Sequence, residues 1–173
     1  MSYLLTGHES ERLRFRPLQP DDFDSWLPFY DHPQSTQYWA GEPSDPVRNC
    51  QQWFDKTFYR YQHNKGGMNV LIDKQTGAFV GQCGLLVQVV DGLDELEVGY
   101  SILPQFWKQG YATEAANACR EYAFANGLSD SLISIIHEEN IPSQAVALKT
   151  GMSAEKRTIY ANNPVLIYRI RNR

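Results

Sequence analysis

The run from Met68 to His137 limits the fold more than any other part of this 173-residue chain. Three segments rich in aliphatic and β-branched residues, 68–73, 79–90 and 93–103, follow one another across turns at Lys74–Gly77 and Asp91-Gly92. Connections this short join antiparallel neighbours, so the three read as a meander. Gly81 and Gly84 inside the middle run mark a bulge or a close approach of another backbone. Pro104 then breaks the pattern, Tyr111–Asn126 has helical periodicity, and Ser131–His137 is again strand-like. A strand, a helix and a strand in succession make a parallel crossover. A chain that carries both patterns predicts an α+β domain with a mixed, mostly antiparallel sheet flanked by helices.

The flanks complete this frame. Leu13, Phe15 and Leu18 among Arg12, Arg14 and Arg16 predict an edge or half-buried strand. Pro20-Asp21-Asp22 predicts a helix start, with Phe23, Trp26, Leu27 and Tyr30 on its apolar face and Pro33 as its end. Pro46 opens a second helix, whose face carries Cys50, Trp53, Phe54, Thr57, Phe58 and Tyr61 and which Gly66-Gly67 stops. In the 111–126 helix, Ala112, Ala115, Ala116, Cys119 and Ala123 form a small-residue stripe suited to close packing on a sheet, and Gly127 caps it. Pro142–Thr150 predicts a short helix. Thr158–Tyr160 and Val165–Arg171 predict a last hairpin turning at Asn162-Asn163. The longest turn-rich patch, Ala40–Pro46, is too short to separate domains, so residues 1–173 are expected to form one.

Composition narrows the function. Sixteen basic against twenty acidic residues give a formal net charge of -4, which argues against non-specific nucleic-acid binding. No apolar run reaches the roughly 18–20 residues needed to span a bilayer, and the first residues lack the features of a signal peptide. Cys50, Cys83 and Cys119 are odd in number and widely spaced, which predicts reduced thiols in a cytoplasmic protein and no disulfide framework. The four histidines are scattered, so no metal site is expected.

The chemistry concentrates in Leu96–Thr113, LEVGYSILPQFWKQGYAT. A strand, a glycine-containing turn and a helix N-terminus make an anion site, because several backbone N–H groups converge there with the helix dipole. Gly110 and Ala112 leave the backbone open to a phosphate, Thr113 adds a hydroxyl and Lys108 a charge. One glycine before a helix is common, and the chain holds neither GxxxxGK[ST] nor GxGxxG, so the usual nucleotide-binding readings lose their support.

The segment EVGYSILPQFWKQGYATEA resembles the acetyl-CoA signature of the GNAT superfamily of N-acetyltransferases. It is most similar to the subgroup that includes the ribosomal-protein N-terminal (alanine/serine) acetyltransferases. ERLRFRPLQPDDF, DKQTGAFVGQCGL and ENIPSQAVALKTGM resemble further blocks of that subgroup in the same order, so the likeness covers nearly the whole chain. Trp107 departs from the superfamily pattern of Arg or Gln, although the subgroup often has Trp there. The resemblance implies a sheet splayed between its fourth and fifth strands, here Glu97–Leu103 and Ser131–His137. It implies acetyl-CoA as co-substrate, with the pyrophosphate on the amides of Lys108, Gln109, Gly110, Tyr111, Ala112 and Thr113. The pantetheine arm is implied to run along Ser101, Ile102 and Leu103. Asn140 matches a cofactor-contacting asparagine, and local chemistry reads it equally as a helix cap. Ser143 matches a serine able to hydrogen-bond the leaving thiolate.

Acetyl transfer to an amine needs a base, a polarised thioester carbonyl and an acid for the thiolate. Glu97, flanked by Leu96 and Val98, is the first choice of base. Strand alternation also allows it a structural or solvent-facing role. His137, Glu138 and Glu139 are rivals, and His137 is also a plausible strand-end hydrogen-bonding residue. Ser143 is the candidate acid, ahead of Tyr111 and Tyr100. A backbone N–H near Ser101 or Ile102 would polarise the carbonyl. Tyr38, Trp39 and Glu42 fall in the region that shapes the acceptor side in relatives, with core packing the simpler reading of Trp39. The expected function is transfer of acetyl to a primary amine, either a protein N-terminus or a small molecule, by direct attack in a ternary complex. A longer-acyl transferase, an inactive acyl-CoA-binding sensor and a plain interaction domain are the alternatives. The chain is expected to be a monomer or homodimer, with the late hairpin as an exposed strand.

Overall fold

The computed structural model describes residues 2–39 and 45–173. Glu42 and most of the Ala40–Pro46 patch lie outside the described residues. Seven strands, β1 (Leu13–Pro17), β2 (Gly66–Asp73), β3 (Phe79–Val90), β4 (Leu93–Ile102), β5 (Ser131–His137), β6 (Ser153–Tyr160) and β7 (Asn163–Arg171), form one sheet. Its order is β1-β2-β3-β4-β5-β7-β6. All neighbours are antiparallel except β4 and β5. The mixed sheet is therefore the one that the meander and the crossover dictate.

Alternation along β2 divides the core. Leu71 packs into a cluster with Phe15, Leu85, Val98 and the small-residue stripe of α3 (Tyr111–Ala125). Its neighbours Val70 and Ile72 pack on the other face, with Trp26, Phe29 and Phe54. That second cluster lies under α1 (Phe23–Trp26) and α2 (Pro46–Gln62). The sheet is thus covered on both sides, and Ala115, Cys119 and Ala123 let α3 lie close to it. Cys83 and Cys119 meet there with sulfurs 3.6 Å apart, and all three cysteines are free and buried.

Four local expectations need correction. The helix expected from Pro20 to Pro33 is three short pieces: a 3-10 turn at Pro20–Asp22, α1, and another 3-10 turn at Leu27–Asp31. Pro28 has no N–H to give to the preceding turn, which ends regular helix there. Gly66 and Gly67 begin β2, and α2 has already ended at Gln62. A Cβ on Gly66 would fall 1.9 Å from the Leu85 carbonyl oxygen, so the pairing with β3 requires glycine. Strand β6 starts at Ser153, five residues before the sequence reading. Its exposed polar residues hide an edge strand whose burial alternates only weakly. The β6–β7 turn is at Ala161-Asn162, both with positive φ, flanked by the pair Tyr160 and Asn163. The bulge expected in β3 is present, as the register against β2 shifts between Leu71 and Ile72.

Candidate active site

The β4–β5 pair is held by one bridge, Glu97 to Ile133. Beyond it the strands part, and side chains take the groups that would continue the ladder. The Ile135 N–H donates to Glu97 Oε2 at 3.1 Å. The Ser134 hydroxyl donates to the Val98 carbonyl at 2.7 Å. Both strands therefore stay apart without leaving those buried groups unpaired.

The register fixes what β4 presents to this split. The Leu103 N–H bonds Val80 on the β3 side, whereas the Val98 carbonyl faces β5, so even-numbered residues turn their backbone to the split. Trp107 Nε1 donates to the Ile102 carbonyl at 2.7 Å. Among the described residues this leaves the Tyr100 N–H and C=O and the Ile102 N–H as the open edge. The backbone of Ser101 faces Gln82 of β3, and Ser101 reaches the split only with its side chain.

After β4 the chain turns through Pro104–Phe106 into α3. Lys108 and Gly110 have φ of 61° and 83°. Gly110 is the N-cap of α3 and supplies no side chain to cap it, so the N–H groups of Tyr111, Ala112 and Thr113 point outward unpaired within the helix. Left-handed backbone before an uncapped helix start is a cradle for an anion, and the residues fit a pyrophosphate.

Arg12 braces this loop from below. It bonds Glu114 at 2.7 Å and the Gln109 carbonyl at 2.9 Å, and its guanidinium stacks on the Tyr111 ring at 4.2 Å. Glu114 also accepts from the Ser10 hydroxyl at 2.6 Å. Burial would raise the Glu114 pKa, but the bonds from Ser10 and Arg12 hold it below the ordinary carboxylate value. We expect Arg12→Ala to cost about 1 kcal/mol in a partly exposed pair such as this. Because the folded pKa of Glu114 is depressed, that cost is full above the unfolded carboxylate range and fades as pH falls through the lowered value. Denaturant titrations of both proteins at pH 7 and pH 3 check this; an equal cost at both values would refute it.

The split opens into a cleft of about 1170 Å³ that runs from the loop to α2 and the β6–β7 turn. Glu97, Ser101, Ile102 and His137 line it, as do Asn140 and Ser143. So do Lys108, Gly110, Tyr111, Ala112 and Thr113. Leu103 and Gln109 do not: Leu103 is buried in the α1–α2 core, and exposed Gln109 gives its carbonyl to Arg12.

Glu97 is buried. Its Oε1 accepts from Gln88 Nε2 at 3.0 Å. Burial raises its pKa, opposed by the bonds from Gln88 and Ile135 and by the charges of Arg60 and Lys56. The rival bases are otherwise engaged or outside. His137 accepts the Glu139 N–H on Nδ1 at 3.1 Å, which occupies the unprotonated nitrogen of a neutral ring, and it packs on Tyr38. Glu138 is paired with Arg157. The Asn140 side chain caps α4 (Ile141–Lys149) by accepting the Ser143 N–H. The Ser143 carbonyl accepts the Tyr100 hydroxyl at 2.7 Å, and Ser143 Oγ has no partner among the described residues. Tyr111 gives its hydroxyl to Asp73 at 2.8 Å. Trp39 is not a core residue: it is 43% exposed, stacks on Trp53 and lines the cleft.

Sequence reasoning missed Ser134, Gln88 and Arg12. Ser134 is a hydroxyl in the middle of the aliphatic run 132–136, which is a usable signal. Gln88 and Arg12 act across long sequence separations and left none.

Comparison with known proteins agrees with this frame. The chain is 30% identical over 163 residues to the uncharacterized protein YkkB of Bacillus subtilis, covering 92% of both. Its fold matches an acetyltransferase from Agrobacterium tumefaciens with a TM-score of 0.81 at 26% identity, over 99% of this chain and 98% of that one. It also matches the ribosomal-protein-S5-alanine acetyltransferase of Vibrio fischeri with a TM-score of 0.72 at 17% identity, over 96% and 97%. The family model of the acetyltransferase (GNAT) domain matches residues 12–153, from the Arg12 brace to the start of β6. The chain belongs to the GNAT acetyltransferase family, whose acyl donor is acetyl-CoA.

Proposed function

We propose that this protein transfers the acetyl group of acetyl-CoA to a primary amine by direct attack in a ternary complex. The observation that carries the proposal is the split itself: an open strand edge leads into an uncapped helix start, and a buried carboxylate stands at the fork. Acetyl-CoA supplies an acyl group already activated as a thioester. The N–H groups of the loop and of Tyr111, Ala112 and Thr113 bind its pyrophosphate, with Lys108 adding charge. The Tyr100 N–H and C=O and the Ile102 N–H pair with the amide-bearing arm as with a strand. Such N–H groups are also the donors that the split offers to a developing oxyanion.

Glu97 takes the proton of the incoming ammonium, directly or through water. Its raised pKa brings it nearer the working pH, where a base is most effective. After attack the nitrogen carries one more proton to lose, and Ser143 Oγ is the hydroxyl left free to relay it, taking a proton as it gives its own to the departing thiolate.

Thiol release from acetyl-CoA, followed across a panel of primary amines, tests this reading. Amine-dependent release with an N-acetylated product is expected. Saturable acetyl-CoA binding without release on any amine would replace it with an acyl-CoA sensor.

A further inference from the structure

The acceptor end of the cleft carries an unexpected charge. Lys56 and Arg60, one turn apart on α2, line it together with Gln88, Glu97 and Tyr160. Acidic residues there would suit a polycation. Among the described residues, no carboxylate lies within ion-pair distance of either basic group. Arg60 gives three of its five N–H donors to neutral acceptors, the carbonyls of Lys65 and Val87 and Oε1 of Gln88, and keeps its charge unpaired. Lys56 has no hydrogen-bond partner among the described residues.

Arg60, Gln88 and Tyr160 form one network with the base, and Lys56 stands beside it on the cleft wall. Gln88 Oε1 accepts from Arg60 at 3.1 Å and from the Tyr160 hydroxyl at 3.0 Å. That fixes the orientation of the amide, so its Nε2 must donate, and it donates to Glu97. Glu97 therefore remains an acceptor, with a positive field on its acceptor side. A cation-rich amine entering here meets two like charges. An amine that also carries an anion meets a counter-charge for each end.

We propose that the acceptor is an amine bearing a carboxylate close by, its ammonium directed to Glu97 and its carboxylate to Lys56 and Arg60. This rests on the acetyltransferase reading above and names the class of substrate. The same positive field favours the neutral amine over the ammonium, which assists the proton loss that attack requires. A carboxylate next to Lys56 also supplies the partner that its ammonium lacks among the described residues. Two sources supply this chemistry: a free amino acid, and a peptide whose N-terminal residues include Asp or Glu.

Thiol release from acetyl-CoA by the whole chain separates the outcomes. One arm compares α-amino acids with their amides and with the corresponding decarboxylated amines. A second compares peptides with Asp or Lys at the first two positions, and a third uses polyamines. The wild type is expected to favour carboxylate-bearing acceptors at least about 10-fold in kcat/KM, and the favoured arm identifies the source. Lys56→Glu, on an exposed position of α2, is expected to reverse the preference toward cationic amines, with calorimetric acetyl-CoA affinity as the check on folding. A wild-type preference for polyamines or neutral amines overturns this inference alone, as does a preference that Lys56→Glu leaves unmoved. Acetyl-CoA binding with no release on any arm overturns the acetyltransferase reading and this inference with it.

Discussion

Replacing Glu97 by glutamine is expected to lower kcat by about 10²–10⁴-fold, the range of a lost general base. The substitution keeps the side chain's size and one acceptor, so the Ile135 bond and the split can persist while the new amide nitrogen gives up the bond from Gln88. Acetyl-CoA affinity should therefore change little, and the loss should fall on kcat. The pH profile is the more telling readout. Glu97 must be ionised to accept a proton, and burial holds its pKa above the usual carboxylate value of 4.5. Wild-type activity should accordingly fall as pH drops through that raised value. In Glu97→Gln this limb should disappear. Lys56 and Arg60 pull the same pKa downward, so Lys56→Met should move the limb to higher pH. A limb that survives in Glu97→Gln would return the role of base to His137, whose Nδ1 is now engaged by the Glu139 N–H.

Gly110→Glu is expected to weaken acetyl-CoA binding by about 100-fold or more, since like charges brought together cost several kcal/mol. Two effects combine. The φ of 83° suits glycine, and another residue pays about 1–2 kcal/mol there. The new carboxylate also stands where unpaired helix N–H groups would receive a phosphate. The fold should survive, because a Cβ at this position meets only the Arg12 guanidinium, at 3.4 Å. Gly110→Ala separates the terms: it carries the backbone cost without the charge, so its loss of affinity should be clearly smaller. Circular dichroism melts of the three proteins check that folding is retained.

The sheet was legible because its two halves differ in kind. Turns of a few residues after Asp73 and Val90 impose antiparallel pairing, and the helix between Ile102 and Ser131 imposes a parallel return. The loop was legible for a related reason: Gly110 sits at a strand-to-helix junction, and that local geometry needs no tertiary information. Family likeness pointed to the Lys108–Thr113 loop, whereas strand alternation changes how the strand before it is read. Ser101 and Leu103 turn their backbones to β3, so the open edge belongs to Tyr100 and Ile102.

What sequence could not reveal was cooperation across distance. Arg12 braces a loop about a hundred residues away, and Gln88 joins α2, β4 and the last hairpin at a single amide. Helical periodicity from Phe23 to Tyr30 predicts one continuous helix, whereas the N–H that Pro28 lacks breaks it into short pieces. Strand β6 was shortened because edge strands carry charge rather than alternation. Lys56 and Arg60 likewise look like the solvated face of an amphipathic helix until the cleft is seen beside them.

Isothermal titration of the wild type with acetyl-CoA, repeated on Gly110→Glu, tests the central claim most directly. Saturable one-site binding to the wild type is expected, and none measurable to the folded variant over the same concentrations. Well-folded wild type that does not bind acetyl-CoA, or a variant that binds it equally well, would contradict it.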